Sequence, residues 1–272
     1  MDRDQIRQHW TNWANTYGGD LRATTKAWTP KVLELDALSR RIRSVGGNRP
    51  SILEVGCGNG INCIELAKLY PESRFDGVDF IPEMVDAAAE NSQKSGIEDR
   101  VRFFVGDVLA LEKVSRLEST YDIVFTDRCL INLNTVALQE QAITALSSKV
   151  RSGGYLFMIE NSFATYQEQN HCRELLGLKP RTPAAFNLFF DESRIRPHIA
   201  AIGLNLVDVE DFISLHDLVL YALVPAINGG EVDYEHPLVH AATVLSKEMS
   251  GTKPGAFGTF GQNRLYVCRK PG

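Results

Sequence analysis

The chain has 272 residues, 44% hydrophobic and 23% charged, which suits one α/β domain with an elaboration and a sizeable core. Lys and Arg number 29 against 34 Asp and Glu, a net charge of -5, and no dense basic run is available to meet phosphates, so no nucleic-acid partner is expected. Five widely spaced cysteines without a CxxC pair, a polar N-terminus and no apolar run of bilayer length point to a reduced, cytoplasmic protein without a membrane span.

Residues 2–17 read as a helix, since Ile6, Trp10, Trp13 and Tyr17 recur at helical spacing before Gly18-Gly19 stop it. That aromatic stripe, with Trp28, reads first as a face packed on the core and second as a lid over a ligand. A second helix over 31–45 completes an N-terminal cap of residues 1–50. Residues 51–55 then form a short apolar strand that runs into a glycine-rich turn, followed by a helix over 61–70 that Pro71 ends. Residues 74–79 are strand-like, and Pro82 opens a helix reaching Gly96. Further strands are expected at 101–105, 121–126 and 154–160, with helices over 135–150 and from the fifth strand to about Gly177. This alternation argues for a parallel sheet covered on both faces.

Beyond it, 178–198 reads as a loop rich in aromatics (Phe186, Phe189 and Phe190), and 205–213 and 264–269 as two last strands. Helices at 214–227 and 236–249 lie between those strands. Residues 51–272 are therefore expected to form one core, with substrate-side insertions at about 178–198 and 214–262, the latter between the last two strands. Insertions of this length serve more often as lids or substrate-contacting elements than as inert loops.

The strongest local signal is Leu53-Glu54-Val55-Gly56-Cys57-Gly58-Asn59-Gly60, a strand entering three alternate glycines and then a helix. Glycines belong where backbone must turn tightly beside a ligand, and the helix start offers free N–H groups and a positive dipole end. Nineteen residues after Gly60, the second strand ends in Asp79, placed to accept both ribose hydroxyls of an adenosine cofactor. Asp107, ending the third strand, reads either as a hydrogen-bond partner of the adenine amino group or as a turn residue.

ILEVGCGNG, GVDFIPEMVDAAAEN, VGDV, YDIVFTDRCLIN and the start of GGYLFMIE resemble, in order, the successive motifs of class I S-adenosylmethionine-dependent methyltransferases. The resemblance covers about residues 50–161. It implies a Rossmann-like seven-stranded sheet of order 3-2-1-4-5-7-6 with only the seventh strand antiparallel, and S-adenosyl-L-methionine as the methyl donor. It further implies that Glu54, Gly56, Cys57, Gly58 and Gly60 build the methionine-side turn. Asp79 would hold the ribose, Phe80 and Ile81 flank the adenine, and Asp107 and Val108 read its edge, while Asp127 and Arg128 would face the transferring methyl. A dehydrogenase would carry the GxGxxG spacing instead. FTDRCLINL, ENSF and GTFGQNRLYVCRK are loosely similar to methyltransferases of polysaccharide and glycan biosynthesis clusters, although the tryptophan or histidine expected near Phe186-Asn187 is missing.

Three residues are candidates for the chemistry. Asp127 follows the fourth strand and reads as a general base or as an ion-pair partner of Arg128. His171 follows the fifth strand, and His216 stands beside Asp217 at the start of the second insertion. His9, His198, His236 and His240 lie in segments without catalytic signals. Asp127, Glu160 and Asn161 offer a hard cation three oxygens, as in catechol-type methyltransferases, but those prefer aspartate where Glu160 stands, and no metal is expected. The expected reaction is methylation of a hydroxyl on a small molecule or glycan. An N-methyltransferase acting on an amine and a non-catalytic S-adenosylmethionine-binding protein are the alternatives, and the oligomeric state is open. The fourth-strand segment lacks the Asn/Asp-Pro-Pro-aromatic motif of amino-methylating DNA enzymes.

Overall fold

The computed structural model describes residues 1–253 and 255–272. Its centre is a seven-stranded sheet made of β1 (Ser51–Val55), β2 (Arg74–Asp79), β3 (Val101–Val105), β4 (Tyr121–Asp127), β5 (Val150–Asn161), β6 (Asn205–Glu210) and β7 (Asn263–Arg269). The order is β3-β2-β1-β4-β5-β7-β6, as the resemblance implied. Strands β1 to β5 pair in parallel, and β7 runs antiparallel to both β5 and β6.

Alternation along the strands sends two sets of side chains to opposite faces. Ile52, Phe75, Ile123, Phe125, Phe157 and Ile159 pack with α2 (Trp28–Val45) and α3 (Ile61–Leu69). Leu53, Val55, Val78, Val124, Leu156 and Met158 pack instead with α5 (Val136–Lys149) and a helix at Glu192–Ala201. Both faces being covered, β1 and β4 are buried almost throughout.

Local chemistry fixes the helix ends. Asp2 and Gln5 form a reciprocal capping box for α1 (Arg3–Tyr17), and Pro82 occupies the first turn of α4 (Pro82–Lys94). Ser162 accepts from the Thr165 backbone N–H to cap α6 (Phe163–Leu175). The segment read as a loop over 178–198 is helical from Glu192, forming α7 (Glu192–Ala201), with Asp191 capping it. Pro197 inside that helix hides it from a periodicity reading.

Between β6 and β7 lie α8 (Ser214–Leu218), a wide π-helical turn at Val219–Leu223, α9 (Val224–Ile227) and α10 (Pro237–Thr252). No helix among the described residues is long and apolar enough to cross a membrane.

Candidate functional site

The strand ends of β1, β2 and β4, α1 above them and both insertions enclose a cavity of about 480 Å³. Its floor is the turn from Gly56 to Gly60. All three glycines have φ between +50° and +79°, the region that L side chains avoid. A Cβ on Gly56 would stand 2.5 Å from the Cys129 sulfur, and one on Gly60 2.6 Å from the Phe103 ring. The turn therefore closes only with glycine, which leaves bare backbone against the cavity.

Asp79 is buried beside this turn. Its Oδ2 accepts from the Gly58 backbone N–H at 2.8 Å and its Oδ1 from that of Ile81 at 3.0 Å. Burial pushes its carboxyl up to about 6, against the pull of those N–H groups. Each carboxylate oxygen keeps a lone-pair direction free, so the group can still accept two hydroxyls.

A smaller cavity of about 50 Å³ adjoins it, sharing Gly56, Asp79, Phe80, Cys129 and Asn132 and adding Asp107 and Val108. Arg3 and Ile6 of α1 close this slot, with Arg3 ion-paired to Asp107. Asp107 also caps the short helical turn after β3 by accepting from the Leu109 N–H at 3.0 Å. Glu54 and Gly60 lie behind the lining. Glu54 accepts from Asn62 at 2.8 Å and from the Cys63 thiol at 3.0 Å, and burial pushes it up to about 8.

On the other side of the turn sits a buried charge quartet. The Lys31 ammonium on α2 lies 2.6 Å from both Glu34 and Asp127. Arg128 reaches Glu34 at 3.2 Å and Asp127 at 3.4 Å, and it alone among non-glycine residues has a left-handed φ, of 55°, among the described residues. Asn62 donates to Asp127 at 3.0 Å and Asn263 to Glu34 at 2.8 Å. Burial raises the Asp127 carboxyl, but Lys31 and then Arg128 outweigh it and hold the group at about 2. A carboxylate held so low stays anionic and takes protons poorly.

Of the three residues expected to carry the chemistry, only Asp127 lines the cavity. His171 is exposed on α6 and is not part of that lining. His216 is fully buried between Asp217, whose Oδ1 is 2.9 Å from Nδ1, and Thr29, 3.3 Å from Nε2. It touches the cavity only through Asp217. His9, in a segment without catalytic signals, lines the cavity and lies 4.5 Å from the Phe186 ring.

Trp10 packs with Ile81 and Met84, and Trp10 and Trp13 both line the cavity, whereas Trp28 is exposed and outside it. Glu160 is spent on structure, accepting from Thr126 at 2.8 Å and from the Leu130 and Ile131 backbone at 3.1 and 3.2 Å. It is not turned toward Asp127, and no group of three His, Cys, Asp or Glu among the described residues is arranged to hold a metal ion.

Lys31 and Glu34 were not singled out from the sequence. Their signal is a charged pair at i,i+3 on the same stripe as Leu38 and Ile42, where an amphipathic helix should be apolar.

A family model described as a methyltransferase domain matches residues 48–184, half of the chain. The chain belongs to the class I S-adenosylmethionine-dependent methyltransferases. That family's methyl donor, S-adenosylmethionine, is its cofactor, and the bare backbone of the glycine turn and the acceptor oxygens of Asp79 have the chemistry to meet it.

Among relatives, a malonyl-[acyl-carrier protein] O-methyltransferase of Priestia megaterium is 29% identical over 182 residues, 65% of this chain and 60% of its own length. A norajmaline N-methyltransferase of Rauvolfia serpentina is 35% identical over 80 residues, 29% of this chain and 26% of its own. The chain thus spans less than two thirds of the curated relatives it matches. A solved magnesium protoporphyrin IX methyltransferase from Synechocystis shares the fold with a TM-score of 0.61 at 15% identity, over 99% of this chain and 100% of that one.

Proposed function

We propose that the protein is an O-methyltransferase for a small molecule or a terminal sugar. S-adenosylmethionine, when bound, supplies a methyl already activated on a sulfonium, so the protein's main task is to align acceptor and donor. In this reading Asp79 grips the ribose, Phe80 and Ile81 flank the adenine, Asp107 and Val108 meet its edge, and the Gly56–Gly60 turn takes the methionine end.

The observation that carries the oxygen reading is the balance of the acceptor wall. On the cavity lining Lys31 and Arg128 are balanced by Glu34 and Asp127, while Arg181 adds a guanidinium that has no ion-pair partner among the described residues. Asp127 and Glu34 are held by Lys31 and Arg128, and Asp217 by His216 and the Gln262 N–H at 2.6 Å. Fixed positive charge stabilises an oxygen that gains negative charge as it attacks, and it disfavours an ammonium. Asp127 acts here as a positioning residue that holds Lys31. The cavity volume lies within the range of small-molecule sites.

Incubation with S-adenosylmethionine carrying a trideuterated methyl, together with pooled small molecules bearing hydroxyl, carboxyl or amine groups, tests this by mass spectrometry. The account expects label on oxygen. Label on nitrogen selects the alternative, an N-methyltransferase, which the aromatic lining and the Rauvolfia relative favour. Cofactor binding without any labelled product would make the chain a non-catalytic binder.

A pH dependence follows from Asp79. Its anion accepts the ribose hydroxyls, so cofactor affinity should be full well above pH 6 and fall as pH drops through about 6. A calorimetric titration at pH 5 should give roughly tenfold weaker binding than at pH 7.5, the ionised fraction at pH 5 being about a tenth. Equal affinity at both would separate Asp79 from the ribose.

A further inference from the structure

We infer that the acceptor carries an anionic group, a carboxylate or phosphate, and that Arg181 is the residue that recognises it. The inference rests on the methyltransferase reading and names its substrate class.

Arg181 lines the cavity and has no ion-pair partner among the described residues, unlike the neighbouring cations Lys31 and Arg128. A guanidinium kept inside a cavity without a counter-charge is costly unless a ligand supplies one. The protein fixes this one with care. Its backbone is clamped to α6, the N–H donating to the Asn170 side chain at 2.8 Å and the carbonyl accepting from it at 3.0 Å. Its guanidinium lies over the Tyr221 ring, 3.5 Å from the centroid, and 5.3 Å from that of Tyr166. Tyr221 is presented by the π-helical turn, a local widening of the kind often found at functional sites.

Two of its five N–H donors are spent on neutral amides, Nη1 on Gln169 Oε1 and Nη2 on Gln262 Oε1, both at 2.9 Å. The same two glutamines stand between Arg181 and Asp217. Gln169 Nε2 donates to Asp217 at 3.3 Å and the Gln262 N–H at 2.6 Å, so the nearby acid is saturated and kept from pairing. Three donors remain in the planar fork that matches a carboxylate or phosphate. Beside the partly buried Arg181, Tyr166 is only 5% exposed and lines the same cavity, and its hydroxyl has no hydrogen-bond partner. Orphaned polar atoms of this kind at a cavity wall ask for a ligand acceptor. Phe189, 4.9 Å from the Tyr166 ring, and Phe186 supply flat apolar surface beside it.

The test is calorimetry on protein saturated with S-adenosylhomocysteine, using 4-hydroxybenzoate, phenyl phosphate and the neutral 4-hydroxybenzamide as probes. The expected result is that at least one anion binds ten times or more tighter than the amide. Which anion prevails assigns carboxylate or phosphate. Arg181→Gln should abolish that preference, and Arg181→Lys should restore part of it, with S-adenosylhomocysteine affinity and melting temperature unchanged in both. Equal binding of the amide, an anion preference that survives Arg181→Gln, or no binding of either anion overturns the inference. Failure of the wild type to bind S-adenosylhomocysteine instead overturns the methyltransferase reading, and this inference with it.

Discussion

Replacing Lys31 by methionine is expected to lower the melting temperature by about 10 °C. The ammonium is 1% exposed and lies 2.6 Å from two carboxylates that are themselves buried. Removing it leaves Glu34 and Asp127 to share the single charge of Arg128, and stripping one partner from a buried ion pair costs roughly 3–5 kcal/mol. Burial already raises the Glu34 carboxyl, so it should take up a proton in the variant. The double variant Lys31→Met/Asp127→Asn restores neutrality around the remaining Glu34–Arg128 pair and should regain most of the loss. A single variant as stable as the wild type would show that the quartet does not hold α2 to the sheet.

Replacing Asp79 by alanine is expected to weaken S-adenosylmethionine binding about 100-fold or more. A carboxylate accepting two ribose hydroxyls makes two charge-assisted hydrogen bonds, each contributing roughly 1.5–3 kcal/mol, and about 1.4 kcal/mol is a tenfold change. Calorimetry reads the affinity. The melting temperature controls for the second job of this carboxylate, which is to accept from the Gly58 and Ile81 N–H groups and so shape the turn. A loss below tenfold in a folded variant would mean that the ribose is held elsewhere.

The sheet and the glycine turn with Asp79 beside it were legible because both are written in short, local patterns. Short, mostly apolar runs such as Ile52–Val55 mark buried strands, the alternating glycines mark a turn no other residue can make, and Asp79 follows at the next strand end. The charged wall beyond the turn was not legible, because it is assembled from distant segments. Lys31 meets Asp127 across 96 residues, and Asn263 meets Glu34 across 229.

Single-residue chemistry misled for the same reason. His171 and His216 are chemically suited to proton transfer, but the helix face of one and the burial of the other decide that neither meets the cavity directly. Asp127 does stand where the strand order placed it, and only the structure shows the ammonium that holds it low. Arg181 carried no motif. Its meaning comes from the partner it lacks, which sequence cannot display.

The most direct measurement is a crystal structure grown with S-adenosylhomocysteine. The account predicts both ribose hydroxyls within hydrogen-bond distance of Asp79, the adenine in the slot beside Phe80, Asp107 and Val108, and the amino-acid end on the Gly56–Gly60 turn. A nucleoside bound away from Asp79, or density absent at saturating ligand, would contradict it.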